Sequence, residues 1–233
     1  VSYDLNGAEL AASYCEKHDL VIQAGGNIGV WPRYLRKTFA NVWTFEPSTE
    51  NYQLMLRNLS GVDVRSWNAA LGERSGTCSM RLNPVNCGDD QTIEGSEVQV
   101  WAIDDMDVNP DLIYLDVQGD ELAVLQGAVD TLQRCKPVVA IERDAKLVKL
   151  KGDALPLLLA LGYKTVETYG QDIILSTRPK LEPAPQRKHI RKFMTRTAAI
   201  NACRKAPDGV VADLKRLTWR HKNGAKTHFV VGD

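Results

Sequence analysis

Three glycines and a carboxylate are the first residues in this chain whose types and spacing could do chemistry. The loop Gln23-Ala24-Gly25-Gly26-Asn27-Ile28-Gly29 follows the apolar run Leu20-Val21-Ile22 and precedes Trp31, Leu35 and Thr38, which recur at helical spacing. A glycine turn between a strand and a helix lets a ligand approach the backbone and aims helix N–H groups at it. Glu46 stands twenty-one residues beyond Gly25, after the run Val42-Trp43-Thr44-Phe45. A carboxylate at a strand end can accept both hydroxyl protons of a ribose. The pyrophosphate fingerprint G-x-G-x-x-G is not met, because Asn27 stands where its second glycine belongs and a start at Gly26 fits no better. Read alone, the loop also suits tight strand–helix packing with no ligand.

These residues need a frame, and the pattern supplies one. Gly7 to Lys17 reads as a helix, Leu20 to Ile22 as a strand, and a second helix starts near Gly29–Val30, where Pro32 falls in its first turn. Val42 to Phe45 is a strand. Ser48 or Thr49 can cap a helix that carries Tyr52, Met55, Leu56 and Leu59, and Val62 to Trp67 is a third strand. Turn residues from Gly72 to Val100 predict a hairpin and loop laid over the sheet edge. Strands follow at Leu112–Leu115 and Val138–Ile141, with a helix from Glu121 to Gln133 between them. Leu155–Leu161 is an apolar helix, and Lys164–Thr168 and Asp172–Ser176 are two strands joined by a turn. Alternating strands and helices predict right-handed βαβ units and a parallel sheet. Trp31 and Trp67 read as core.

Composition sets the outer bounds. The 233 residues are 44% hydrophobic and 25% charged, enough for one generous α/β domain with an appendage. No apolar run reaches the roughly 18 residues that span a bilayer. No basic-then-apolar leader opens the chain, so a cytoplasmic protein with no membrane partner is expected. The five cysteines form no C-x-x-C pair, and no ligand spacing supports a metal site. The zero net charge hides a split. Residues 1–185 carry 17 Lys and Arg against 26 Asp and Glu, whereas residues 186–233 carry 12 against 3. Pro179, Pro183 and Pro185 mark the change. The expected organisation is therefore a domain at 1–178, a Pro-rich linker at 179–186 and a basic extension at 187–233, with helices around Lys188–Arg204 and Val210–Trp219. Basic residues interleaved with Phe193, Trp219 and Phe229 suit a nucleic acid bound through 187–228. They equally suit a solvated face or a patch docking on the acidic domain of another subunit, so a homo-oligomer is also open.

Three blocks in order over about residues 18–176 resemble the FkbM family of methyltransferases. The first is Val21 to Gly29 followed by Thr44-Phe45-Glu46-Pro47 and Asn51, similar to D-x-G-A-N-x-G, F-E-P and a later asparagine. The second is Asn68-Ala69-Ala70-Leu71-Gly72 with Asn86-Cys87-Gly88. The third runs from Ile103-Asp104-Asp105 through Leu115-Asp116-Val117-Gln118-Gly119-Asp120-Glu121 and Leu125-Gln126-Gly127-Ala128 to Lys136-Pro137 and Ile141-Glu142, similar to L-D-D, D-V-E-G-x-E, V-L-x-G-A, K-P and I-E. Two positions depart from the pattern: Gln23 replaces an acid, and Gln118 replaces the glutamate of D-V-E-G. An amide keeps hydrogen bonds but loses charge and cannot act as a base.

The resemblance implies a doubly wound, Rossmann-like class I methyltransferase fold of about seven strands with the last antiparallel, carrying a basic C-terminal extension. It implies S-adenosylmethionine as the small-molecule methyl donor. Gln23, Gly25, Gly26, Asn27 and Gly29 would line its methionine and ribose end, Glu46 would hold the ribose hydroxyls, and Asn68 and Ala69 would border the adenine. Methyl transfer is an in-line displacement, so positioning and removal of the acceptor's proton are the protein's main tasks. Asp116, ending the fourth strand beside the first, and Glu142, ending the fifth, are the candidate catalytic residues. Asp116 could instead cap a turn, and Glu142 could pair with Arg143 or a lysine. Glu121 fits a first-turn helix position, and Asp104-Asp105 fits a turn. The expected activity is O-methylation of a hydroxyl on a sugar, natural product or nucleic acid. The alternative is a degenerate methyltransferase fold that acts as a nucleic-acid-binding or assembly module through its tail.

Overall fold

The structure, a computed structural model, describes residues 6–81, 91–179, 190–193 and 228–231. The chain divides into two compact units, Val1–Leu181 and Glu182–Asp233. The first unit is built on a seven-stranded sheet. Its strands are β1 (Leu20–Ala24), β2 (Asn41–Phe45), β3 (Arg65–Trp67), β7 (Leu112–Leu115), β8 (Val138–Glu142), β9 (Lys164–Tyr169) and β10 (Asp172–Ser176), in the spatial order β3-β2-β1-β7-β8-β10-β9. Pairings from β3 through β8 are parallel, and β10 enters antiparallel between β8 and β9. This is the class I, Rossmann-like arrangement expected from the sequence.

Period-two alternation explains why both faces of the sheet are covered. Ile22, Ile113, Leu115, Val139 and Ile141 point to one face. There they pack with Val124 and Leu125 of α4 (Glu121–Gln126), Leu132 of α5 (Val129–Cys135) and Leu158 of α7 (Leu155–Ala160). Val21, Val42, Leu112, Tyr114, Val138 and Ala140 point to the other, against Ala8 and Ala11 of α1 (Asn6–Ala12) and Leu35 of α2 (Val30–Leu35). A sheet buried on both faces reads as short apolar runs, the signal these strands carry. Helix α3 (Thr49–Asn58) buries Met55 but leaves Leu54 and Leu56 nearly half exposed, so its buried stripe is narrower than its sequence suggests.

The turn-rich stretch forms a hairpin, as expected. Strands β5 (Gly76–Arg81) and β6 (Gln91–Trp101) pair antiparallel, and β4 (Ala69–Leu71) joins β6 in parallel to make a separate three-stranded sheet. Three elements differ from expectation. The helix expected from Glu121 to Gln133 is two helices, α4 and α5. Gly127 breaks it: a Cβ there would lie 2.1 Å from the Gly72 carbonyl oxygen, and its own carbonyl accepts the Asp104 N–H at 2.9 Å. Asp104 then caps α5, accepting the N–H groups of Thr131 at 2.8 Å and Asp130 at 3.1 Å. Second, α6 (Ala145–Lys151) was not foreseen. It buries none of its residues fully, so no apolar period announces it, but Asp144 caps it through the N–H groups of Lys146 and Leu147.

Third, the helix expected around Lys188–Arg204 is wrong at Ile190–Phe193. These residues form β11, antiparallel to β12 (His228–Val231), with Ile190 opposite Val231. Ile, Phe and Val favour pleated backbone, and long-range pairing overrides local helical spacing. The rest of that segment, and Val210–Trp219, lie outside the described residues. Among the described residues no helix is long and apolar enough to cross a membrane.

Gly25 has φ +83, and a Cβ on it would meet the Asp116 carbonyl oxygen at 1.8 Å. Gly61 has φ +74 but open space around it. Gly61→Ala should therefore cost only left-handed strain, about 1 kcal/mol. Gly25→Ala adds a backbone collision and should cost about 2–3 kcal/mol or more. Urea denaturation of both variants checks this, and equal losses would show that the Gly25 contact is not tight.

Candidate active site

Strand order reverses beside β1, where β2 pairs on one side and β7 on the other, and ligands of open α/β sheets bind at the carboxyl ends of such strands. The loop after β1 is held there by backbone bonds. The N–H groups of Gly25 and Gly26 both donate to Phe45 O at 3.0 Å, and the Asp116 N–H donates to Ala24 O at 3.1 Å. Gln23 is fully buried and faces into this loop. Its amide nitrogen donates to the carbonyls of Ala24 at 3.0 Å and Gly25 at 2.9 Å, and its amide oxygen accepts the Thr44 hydroxyl. Gln23 thus shapes the loop from behind. Met55 presses on the same loop: a Cβ at Gly26 would meet its Sδ at 2.6 Å, and one at Gly29 its Cγ at 3.1 Å.

Glu46 is 5% exposed and opens onto the cleft. Oε2 accepts the Asn27 N–H at 2.7 Å and Oε1 the Ser48 N–H at 2.9 Å. Asn27 has φ +45, which aims its N–H at that carboxylate. Ser48 precedes α3 without a side-chain capping bond. Asn68 donates to the carbonyls of Glu46 at 2.9 Å and Pro47 at 3.0 Å, fixing the chain on both sides of the acid.

Across the cleft, the ends of β7 and β8 bring carboxylates together. Asp116 accepts a hydrogen bond from the Gln118 amide at 3.1 Å, and Glu142 accepts one from the same nitrogen at 3.3 Å. Burial first, and then the Asp116, Glu121 and Asp172 carboxylates, push the Glu142 carboxyl up to about 8. Asp172 lies opposite Glu142 in register and accepts the Tyr114 hydroxyl at 3.2 Å. Glu121, its carboxyl also raised by burial, folds back so that Oε1 accepts the N–H groups of Val117 and Gly119, both at 3.3 Å. The neighbouring cations are engaged elsewhere, Lys151 with Asp120 at 2.7 Å and Arg143 with Asp153 at 2.6 Å.

The cleft brings together Gly25, Gly26, Asn27, Glu46 and Asp116 of the residues singled out from the sequence. Gln23, Gly29, Asn68, Ala69 and Glu142 stand behind its wall. Ala70 and Leu71 line it in place of Asn68 and Ala69. Sequence reasoning missed Trp31, Met80 and Gln118 as lining residues. Trp31 gave only a core signal; its ring lies 5.4 Å from that of Tyr114 and is partly exposed. Trp67 packs as expected, stacked on Phe45 at 4.9 Å. Gln118 did carry a signal, as a departure from the D-V-E-G pattern. Among the described residues lining the cleft there is no lysine or arginine.

A carboxyl raised from 4.5 to about 8 is a statement about stability. Between those values the folded state holds a proton that the unfolded state has lost. Stability therefore falls as pH rises from about 4.5 to about 8. Glu142→Gln should flatten that slope in urea denaturation, whereas an unchanged slope would place the proton elsewhere.

Residues 23–165 match the sequence model of the Methyltransferase FkbM domain. Among solved structures, the methyltransferase FkbM from Methylobacillus flagellatus KT is 23% identical, with 67% of this chain and 42% of that one covered and a TM-score of 0.49. This chain therefore spans under half the length of that protein. An rRNA methylase from Streptococcus thermophilus is 10% identical over 78% of this chain and 99% of its own, with a TM-score of 0.48. The precorrin-6y C5,15-methyltransferase from Geobacter metallireducens GS-15 is 11% identical over 75% and 88%, with a TM-score of 0.45. No curated protein matches the chain. The matched residues run from the first residue of the glycine loop past the carboxylates of β7 and β8, and over that span the chain belongs to the FkbM methyltransferase domain family.

Proposed function

We propose that the domain is an S-adenosylmethionine-dependent methyltransferase that O-methylates a hydroxyl of a sugar, natural product or nucleic acid. The observation that carries this reading is the charge of the cleft. Its described lining holds Glu46 at one side and Asp116 and Asp120 at the other, with no lysine or arginine. Its carboxylates disfavour a pyrophosphate-bearing cofactor, even with Asp120 paired to Lys151, whereas a donor with ammonium and sulfonium charges is favoured. The residues fit such a donor. Glu46 presents a carboxylate at the cleft for the ribose hydroxyls, Gly25, Gly26 and Asn27 offer backbone at close range, and Ala70 and Leu71 give an apolar wall for a base. Gln23, Gly29, Asn68 and Ala69 act by holding these in place.

When bound, the donor supplies an electrophilic methyl group and a neutral thioether as its leaving group. The chain's own residues orient the acceptor oxygen and take its proton. Asp116 is the residue at the cleft that can do so, with Glu142 behind it. The basic composition of residues 187–228 is what supports a nucleic acid among the acceptors.

Calorimetry should show S-adenosylmethionine binding to the wild-type chain, and Glu46→Ala should weaken it by about 1–3 kcal/mol, roughly 5- to 150-fold. Asp116→Asn should retain binding and lose about 10²- to 10⁴-fold in transfer of labelled methyl to hydroxyl-bearing extracts. A wild-type chain that does not bind the donor, or an Asp116→Asn variant that transfers at the normal rate, contradicts the assignment.

A further inference from the structure

Gln118 has no part in the roles so far described, yet its conformation is costly and its contacts are specific. It sits at φ +54, in the left-handed region, followed by Gly119 at φ +97. A non-glycine residue there carries strain of about 1–3 kcal/mol and persists only where its surroundings impose it. The surroundings do so: Glu121 accepts the N–H on each side of Gln118, at Val117 and at Gly119. The turn aims the Gln118 side chain at the ends of β7 and β8, where its amide nitrogen lies 3.1 Å from Asp116 Oδ1 and 3.3 Å from Glu142 Oε2. One NH₂ group has two hydrogens, one for each carboxylate.

We infer that Gln118 is a positioning residue whose amide bridges Asp116 and Glu142 and fixes the Asp116 carboxylate at the edge of the cleft. The inference rests on the reading of Asp116 as the acceptor's base. The chemistry of the position supports an amide over a glutamate. An ionised glutamate has no hydrogen to donate and would add another negative charge to a group already crowded by Asp116 from β7, Glu121 from α4 and Asp172 from β10. Tyr114 donates to Asp172, and Lys151 and Arg143 are committed to Asp120 and Asp153. The amide is thus the donor that joins the two carboxylates without altering their charge. The turn that carries Gln118 keeps the oxygens of both carboxylates in one orientation.

The test is a carbon-13 carboxyl NMR titration of the full chain labelled in Asp and Glu, with Asp116→Asn and Glu142→Gln supplying the assignments. In the wild type the Glu142 resonance should titrate near 8. Gln118→Met keeps the length of the side chain and removes the amide, a donor to the ionised form of Glu142. It should move the Glu142 step up by about one pH unit, a tenfold change. Gln118→Glu adds a negative charge and should move that step up further. In methyl transfer, Gln118→Met should lower kcat more than it changes KM for the donor and should shift the pH profile with the NMR step. Linked shifts of this kind are not what a merely structural role gives. An unchanged Glu142 titration in folded Gln118→Met overturns the clamp, as does a kcat that stays at the wild-type value. Full transfer by Asp116→Asn would instead overturn the reading of the base, whatever the titration shows.

Discussion

The site depends on one close approach, that of the Gly25 backbone to the carbonyl of Asp116. No side chain fits between them. Because β1 and β7 can come this near at their ends, Gly25 and Gly26 can also reach Phe45 O at the end of β2. Three strand ends are thereby tied into one rim, and everything chemical hangs from it. Glu46 follows Phe45, Asp116 follows β7, and Asn27 follows the glycines. Gln23, buried beneath the rim, donates to the Gly25 carbonyl and gives the Ala24 carbonyl a second donor beside the Asp116 N–H. A charged acid in its place would repel those two carbonyls, so the amide is a sound choice for this loop even though it departs from the family pattern.

The rim separates two kinds of carboxylate. Glu46 accepts the backbone N–H groups of Asn27 and Ser48, which hold it in place as an acceptor. Glu142 is surrounded by other carboxylates and by apolar burial, which favour its proton. The first suits a group that holds hydroxyls, the second a group that stores and passes a proton. Glu46 lines the cleft and Glu142 stands behind its wall; the described lining has no positive side chain, which fits a cationic donor better than an anionic one.

Most of the sheet was legible in the sequence because its strands are buried on both faces and stand out as short apolar runs between turn residues. The glycine loop and Glu46 were legible because close backbone approach constrains residue type at fixed spacing, and the acid stands at the end of the next strand. What was not legible arose from contacts remote in sequence. Gly127 splits a continuous helical pattern because the Gly72 carbonyl lies against it. Helix α6 escaped notice because it buries no residue fully and so has no apolar period. Ile190–Phe193 pairs with His228–Val231, a partner that local spacing cannot reveal. Gln23 and Asn68 were assigned to the ligand because motif position shows that a residue matters near a loop without telling which way its side chain faces. Gln118 stood out as an exception to a pattern, but its role came only with the two carboxylates beside it.

The central claim is that the rim formed by β1, β2 and β7 holds the methyl donor. Amide hydrogen exchange of the full chain, with and without S-adenosylhomocysteine, tests it most directly. Exchange should slow in three separate stretches together, residues 24–30, 45–51 and 115–120, with little change at α1 or in β9. No slowing at saturating ligand, or slowing confined to residues away from these three strand ends, would contradict the account.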